Sequence, residues 1–156
     1  MNIKNSLYAS LLSLCFISAA AFTNENLDAS YEKALIAFQN EQFSNAVIHL
    51  KNIIQANPTH MPSRVLMAQI LITQGNGAAA QIELDRARDG KVDEDRLITL
   101  YGQAYILQGK YDEAIAVAKL GQRNEQIKSQ LLLIRGQAYI GKKQYKLADK
   151  AFISVL

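Results

Sequence analysis

Apolar residues along this chain recur at helical spacing. Tyr31, Ala34, Leu35 and Phe38 stand at i, i+3, i+4 and i+7, one stripe of a 3.6-residue period. After the polar break Asn40-Glu41-Gln42, the stripe resumes with Phe43, Ala46, Val47, Leu50, Ile53 and Ile54, and Pro58 predicts its end by disfavouring helical geometry at Asn57. Pro62 suits the first turn of the next helix, which carries Val65, Leu66, Ala68 and Ile72. The turn Gln74-Gly75-Asn76-Gly77 offers three residues that tolerate left-handed geometry, and Ala80, Leu84 and Ala87 follow, with Gly90 as a stop.

Two further pairs follow the same grammar. Ile98, Tyr101, Gly102, Tyr105 and Ile106 precede a turn at Gly109, then Tyr111, Ala114 and Ala118; Leu132, Leu133, Gly136, Tyr139 and Ile140 precede Tyr145, Ala148, Phe152 and Val155. The helix from Tyr111 should end near Leu120, because Gly121 costs about 1 kcal/mol against Ala inside a helix, with an irregular link from Gln122 to Glu125. No stretch alternates with period two, so the fold class is all-α.

Gly102-Gln103-Ala104-Tyr105-Ile106 returns letter for letter as Gly136-Gln137-Ala138-Tyr139-Ile140, 34 residues further on. The period divides the chain into repeats at 27–60, 61–94, 95–128 and 129–156, the last incomplete. Position 8 of each reads Ala34, Ala68, Gly102 and Gly136, and position 20 reads Ala46, Ala80, Ala114 and Ala148. Small residues in all these slots place positions 8 and 20 opposite each other at the closest approach of two antiparallel helices.

On these residues the chain resembles the tetratricopeptide repeat family, whose unit has small residues at positions 8 and 20, aromatics at 11 and 24, and proline at 32. Tyr105 and Tyr139 fit position 11, Leu50, Leu84 and Phe152 fit 24, and Pro58 fits 32; Ala37, Ala118 and the lack of tryptophan at position 4 depart from the pattern. The resemblance implies a right-handed α-solenoid of antiparallel helix pairs that binds a protein or peptide in a concave groove lined by the first helices. Groove positions 2 and 9 make Gln69, Arg96, Gln103, Gln130 and Gln137 the candidate contacts, while the isoleucines at position 12 are expected in the core. The lysines and asparagines with which related modules grip a C-terminal carboxylate are missing. The run Ala46 to Pro58, with Ala78-Ala79-Ala80 and Leu97 to Ala114, is also similar to the start of long repeat proteins of bacterial exosortase and exopolysaccharide systems.

Composition narrows the setting. Lys4, an apolar stretch from Leu7 to Ala21 and the small residues Ala19-Ala20-Ala21 form a secretory signal pattern over residues 1–21, with cleavage near Ala21. Cys15 follows Leu14 rather than a small residue, so a lipid anchor does not fit, and the serines at 10, 13 and 18 shorten the run below a membrane span, leaving an uncleaved anchor as the lesser reading. The mature chain, from 22 to 156, then holds no cysteine and relies on packing. A net charge of +3 from 17 basic and 14 acidic residues, interspersed, argues against nucleic acid, and Lys142, Lys143, Lys146 and Lys150 read as a solvated helix face.

His49 and His60 have no neighbours arranged for metal binding or catalysis, and no phosphate loop or cysteine pair is present, so neither enzyme activity nor a cofactor is expected. The acids at 93–95 and 112–113 sit at helix starts, where the dipole accounts for them. The pattern stops at Leu156 without a polar capping surface, which predicts further repeats or a partner over that end. The expected function is an exported protein-binding scaffold of the bacterial cell envelope, linked to exosortase or exopolysaccharide assembly, with an accessory module of a polysaccharide-export or peptidoglycan-modifying complex as the alternative. The register makes a direct prediction: Ala114→Leu lowers the melting temperature well below that of Lys110→Ala, and equal melting temperatures would refute it.

Overall fold

The computed structural model describes residues 26–155. The signal pattern at 1–21 and the terminal Leu156 lie outside the described residues. Among these there are helices and turns and no strand. Helix α1 runs through residues 26–39, followed by α2 (Phe43–Ala56), α3 (Met61–Thr73), α4 (Gly77–Asp89), α5 (Glu94–Leu107), α6 (Tyr111–Val117), α7 (Glu125–Gly141) and α8 (Tyr145–Ile153). Packing divides the chain into two compact units, the first ending at Ala56 and the second running Asn57–Leu156.

In the first unit, α1 and α2 bury Ala34, Ala37, Ala46, Leu50 and Ile53, and the rings of Phe38 and Phe43 stand 6.0 Å apart across the turn. The second unit stacks three pairs, α3 with α4, α5 with α6, and α7 with α8; α5 also packs on α3, α4 and α7. Its core is built junction by junction. Leu97, Tyr101 and Ala104 of α5 fill the surface made by Ala68, Ala80, Leu84 and Ala87. Leu131, Ile134 and Ala138 of α7 do the same against Ile98, Ala114 and Ala118.

The four turns within pairs share one geometry. Residues 40–42, 74–76, 108–110 and 142–144 each place their middle residue in the left-handed region: Glu41 at φ 57°, Gly75 at 77°, Gly109 at 70° and Lys143 at 59°. The next residue then donates its N–H to the carbonyl five positions back, Gln42 to Ala37 at 2.8 Å, Asn76 to Leu71 at 2.8 Å, Lys110 to Tyr105 at 2.9 Å and Gln144 to Tyr139 at 2.8 Å. This bond closes the exposed carbonyl end of the first helix and reverses the chain in three residues. In the turn 74–77 only Gly75 uses left-handed geometry. Asn76 instead caps α4 by accepting from the Ala79 N–H at 3.2 Å. Gly77 is small because a Cβ there would lie 2.5 Å from the Ala104 carbonyl oxygen and 2.7 Å from Leu107 Cβ.

All eight small residues at positions 8 and 20 are buried. Two of them serve a further close contact beyond the expected pairing of 8 with 20. A Cβ on Gly102 would meet Ile134 Cγ2 of the following pair at 2.7 Å, and one on Gly136 would collide with the Phe152 ring. At these two glycines position 8 makes room for a large neighbour, from α7 in one case and from position 24 in the other, while Ala68 and Ala80 of the second repeat share one core cluster.

The third pair departs furthest from the regular pattern. Helix α6 has seven residues and ends at Val117, three short of the expected end, ahead of Gly121 at φ 51°. Arg123 holds the link, donating to the Lys119 carbonyl at 2.9 Å, Asp95 Oδ1 at 2.6 Å and Glu94 Oε1 at 3.0 Å. Asn124 then caps α7 by accepting from Ile127 N–H at 2.9 Å, so α7 opens four residues before Ser129.

The shared turn predicts opposite effects at two equivalent positions. Lys143→Gly should stabilise the protein, since a side chain in left-handed geometry costs about 1 kcal/mol. Gly109→Ala should destabilise it by a similar amount, because the added Cβ meets nothing within 4 Å and only the backbone conformation is penalised. Urea melts of the two variants measure both, and shifts of the same sign would contradict the turn geometry.

Candidate functional site

The five candidate contacts lie on three neighbouring first helices, Gln69 on α3, Arg96 and Gln103 on α5, and Gln130 and Gln137 on α7. Arg96 and Gln103 are seven residues apart, as are Gln130 and Gln137, which keeps each pair within about 20° on its helix. Arg96, Gln103, Gln130 and Gln137 are exposed and Gln69 is half-buried. None of these side chains bonds to another described residue. Their amides and guanidinium are therefore solvated donors and acceptors, ready to exchange water for a polar ligand group. The isoleucines of position 12 divide: Ile72 and Ile106 are half-buried, whereas Ile140 is 49% exposed beside this stripe and not in the core.

Behind the stripe, α5 is fixed by groups that sequence reasoning took as packing alone. Tyr101 is 6% exposed and donates its hydroxyl to Asp85 Oδ1 at 2.9 Å. Arg88 pairs with the same carboxylate at 3.1 Å and lies over the Tyr101 ring, 5.7 Å from its centroid. Burial first, and the hydrogen bond to Asp85 second, push the Tyr101 phenol far above its ordinary value; burial also raises that of Tyr105, which stacks on Tyr101 at 6.0 Å.

Three charged groups have structural rather than chemical work. Arg64 is 7% exposed, donating to the Pro58 carbonyl at 2.9 Å and pairing with Glu83 at 2.8 Å, which ties the linker before α3 to α4. Glu94 and Asp95 neutralise Arg123 as well as opening α5, and Asp112 pairs with Lys142, so these acids do more than balance a helix dipole. Lys142 and Lys143 accordingly leave the solvated lysine face, one as an ion-pair partner and the other as a turn residue. Arg64 and Arg123 carry no signal in the sequence, since their partners lie 19 and 28 or 29 residues away.

Of the histidines, His60 caps α3, its Nδ1 accepting from the Ser63 N–H at 3.3 Å with Ser63 Oγ at 2.8 Å, and His49 is half-buried on α2. Among the described residues no group of three or more His, Cys, Asp or Glu is arranged to hold a metal, and no helix is long and apolar enough to cross a membrane.

The tyrosine cluster makes stability depend on alkaline pH. The folded Tyr101 phenol ionises at higher pH than the unfolded one, near 10, so its contribution is complete below about pH 10 and is lost as pH rises through the folded value. Tyr101→Phe should cost about 1–2 kcal/mol at neutral pH through the lost bond to Asp85, and should show a shallower loss of stability above pH 10 than the wild type in urea melts. Parallel pH profiles would contradict this.

Two sequence patterns of the tetratricopeptide repeat match the chain, one over residues 37–100 and one over 95–123, together more than half its length. No curated protein matches it. Such repeats generally mediate protein–protein interaction, and their domains are typically non-catalytic scaffolds. With the paired helices, the buried small residues and the shared turn, these matches make the chain a member of the tetratricopeptide repeat family.

Proposed function

We propose that the protein is a non-catalytic scaffold of the bacterial cell envelope, exported by the signal at residues 1–21, whose mature repeat domain (22–156) grips a protein partner along the first helices. Envelope export rests on the leader pattern alone, with Lys4 ahead of the apolar run Leu7–Ala21. The partner surface rests on one observation: Gln103 and Gln137, identical in setting on successive helices, are exposed and bond to no other described residue. Arg96 and Gln130 extend the same stripes by two turns. Together these groups suit an extended or helical peptide whose backbone or polar side chains bond to the amides while its apolar side chains meet residues such as Ile140.

The resemblance of Ala46–Pro58 to exosortase and exopolysaccharide proteins supports assembly of that machinery as the process. No cofactor or nucleic acid takes part in this reading.

A photo-crosslinking amino acid placed at 103 or 137 in cells, with position 113 as control, tests it. The expected result is one envelope protein crosslinked from 103 and 137 and absent from 113. Adducts that are equal from all three positions, or only cytosolic, would overturn the reading. Mass spectrometry of the mature chain should place its first residue near Phe22.

A further inference from the structure

The early end of α6 has a consequence on the other side of α7. Where α6 stops, a cleft of about 670 Å³ opens between α7, α8 and the link, lined chiefly by Leu132, Arg135, Tyr139, Leu147, Lys150 and Val155. An equivalent but smaller cleft, about 310 Å³, exists one repeat earlier at Ile98, Tyr101, Tyr105 and Val117. Leu132, Arg135, Tyr139 and Ala151 stand 34 residues after those four. The earlier cleft is narrowed by α4, which runs on to Asp89 and lays Asp85 and Arg88 over Tyr101. The corresponding residues, Lys119 and Gln122, fall beyond the end of α6, so among the described residues no acid–arginine pair equivalent to Asp85 and Arg88 covers Arg135.

We propose that this cleft is a second docking site, separate from the glutamine stripe, for an acidic amphipathic helix of a protein partner. Arg135 and Gln137 point about 160° apart around α7, so the two surfaces lie on opposite faces.

The charge of the occupant follows from what the cleft leaves unbalanced. Arg135 is half-buried, and its Nε is buried with no hydrogen-bond partner. The Nε is closed off from the cleft, but the guanidinium lines it with no hydrogen-bond partner among the described residues, and a carboxylate is the acceptor that matches a guanidinium in charge and shape. Glu125 is taken by Lys128 at 2.8 Å. Arg135, half-buried, and Lys150, exposed, therefore remain as positive charges in a lining of mixed polar and apolar residues, and neither has an ion-pair partner among the described residues. Tyr101, in the same slot one repeat earlier, receives its acid from Asp85, whereas Arg135 has no acid among the described residues and would take one from a partner.

The shape of the occupant follows from the spacing. Lys128, Leu132, Arg135 and Tyr139 form a ridge along about 16 Å of α7, and Leu147 and Ala151 form a second along α8, continued by Val155 in the turn past its end. Two helical ridges with a groove between them accept the apolar face of a third helix of about three turns. Leu147, 41% exposed, supplies an apolar contact available to it.

Selection of a displayed library of helical peptides, about 14 residues long and randomised at apolar and charged positions, on the full 156-residue chain tests the proposal. Enriched peptides should carry a glutamate or aspartate one turn from leucine or isoleucine. By fluorescence anisotropy, the best of them should bind about tenfold or more weakly to Arg135→Gln and to Leu147→Lys, and should lose as much when its own acid becomes the amide. Gln103→Ala with Gln137→Ala should leave its affinity unchanged. Absence of enrichment, enrichment without a carboxylate, or an affinity that follows Gln103 and Gln137 and ignores Arg135 would overturn it. Circular dichroism checks each variant's fold, and if Arg135→Gln unfolds, Leu147→Lys and the amide peptide decide the outcome.

Discussion

The closeness of helix to helix is the constraint on which this structure depends. At the eight slots where side chains would hold helices apart, the chain carries alanine or glycine, and each is buried. Because Gly102 accepts Ile134 and Gly136 accepts Phe152, the same smallness serves contacts between pairs and within them. The left-handed residue in each three-residue turn then sets how the second helix returns over the first. Close approach and turn geometry together leave the first helices free to present polar residues on one face, which is how Gln103 and Gln137 come to share a setting.

Where the pattern lapses, ion pairs take over. Helix α6 forms only seven residues, and the following link is held by Arg123, which reaches two acids at the start of α5 and a carbonyl of the link itself. Arg64 plays a similar part before α3, where Pro58 interrupts the helices. In both places a guanidinium with several donors satisfies backbone and carboxylate groups that helical bonding cannot reach.

Much of this was legible in the sequence, for identifiable reasons. The slots at 8 and 20 were readable because a steric limit acts directly on residue identity. Gly75 and Gly109 announced both their turns and the left-handed geometry; at 40–42 the polar break marked the turn, but nothing in Glu41 or Lys143 marked the left-handed geometry, which is imposed there by the pair and not chosen by the residue. The irregular link expected from Gln122 to Glu125 nearly matches the structure, in which Asn124 caps α7 and the helix opens at Glu125, ahead of the repeat boundary at Ser129. Arg135 was illegible as a site residue: its chemistry depends on what fails to cover it, and that depends on where another helix ends.

The seven-residue α6 also sets the mechanics of the second unit. Each pair in the unit contacts only its neighbours, so α7 and α8 are joined to the rest through α5 and a helix of two turns. That joint has the least helix behind it, and the ion pairs of Arg123 reinforce it. A helix bound beside Arg135 would bridge α7, α8 and the link, and its binding energy would add to the work of opening. Occupancy and rigidity of that joint would then be one linked equilibrium.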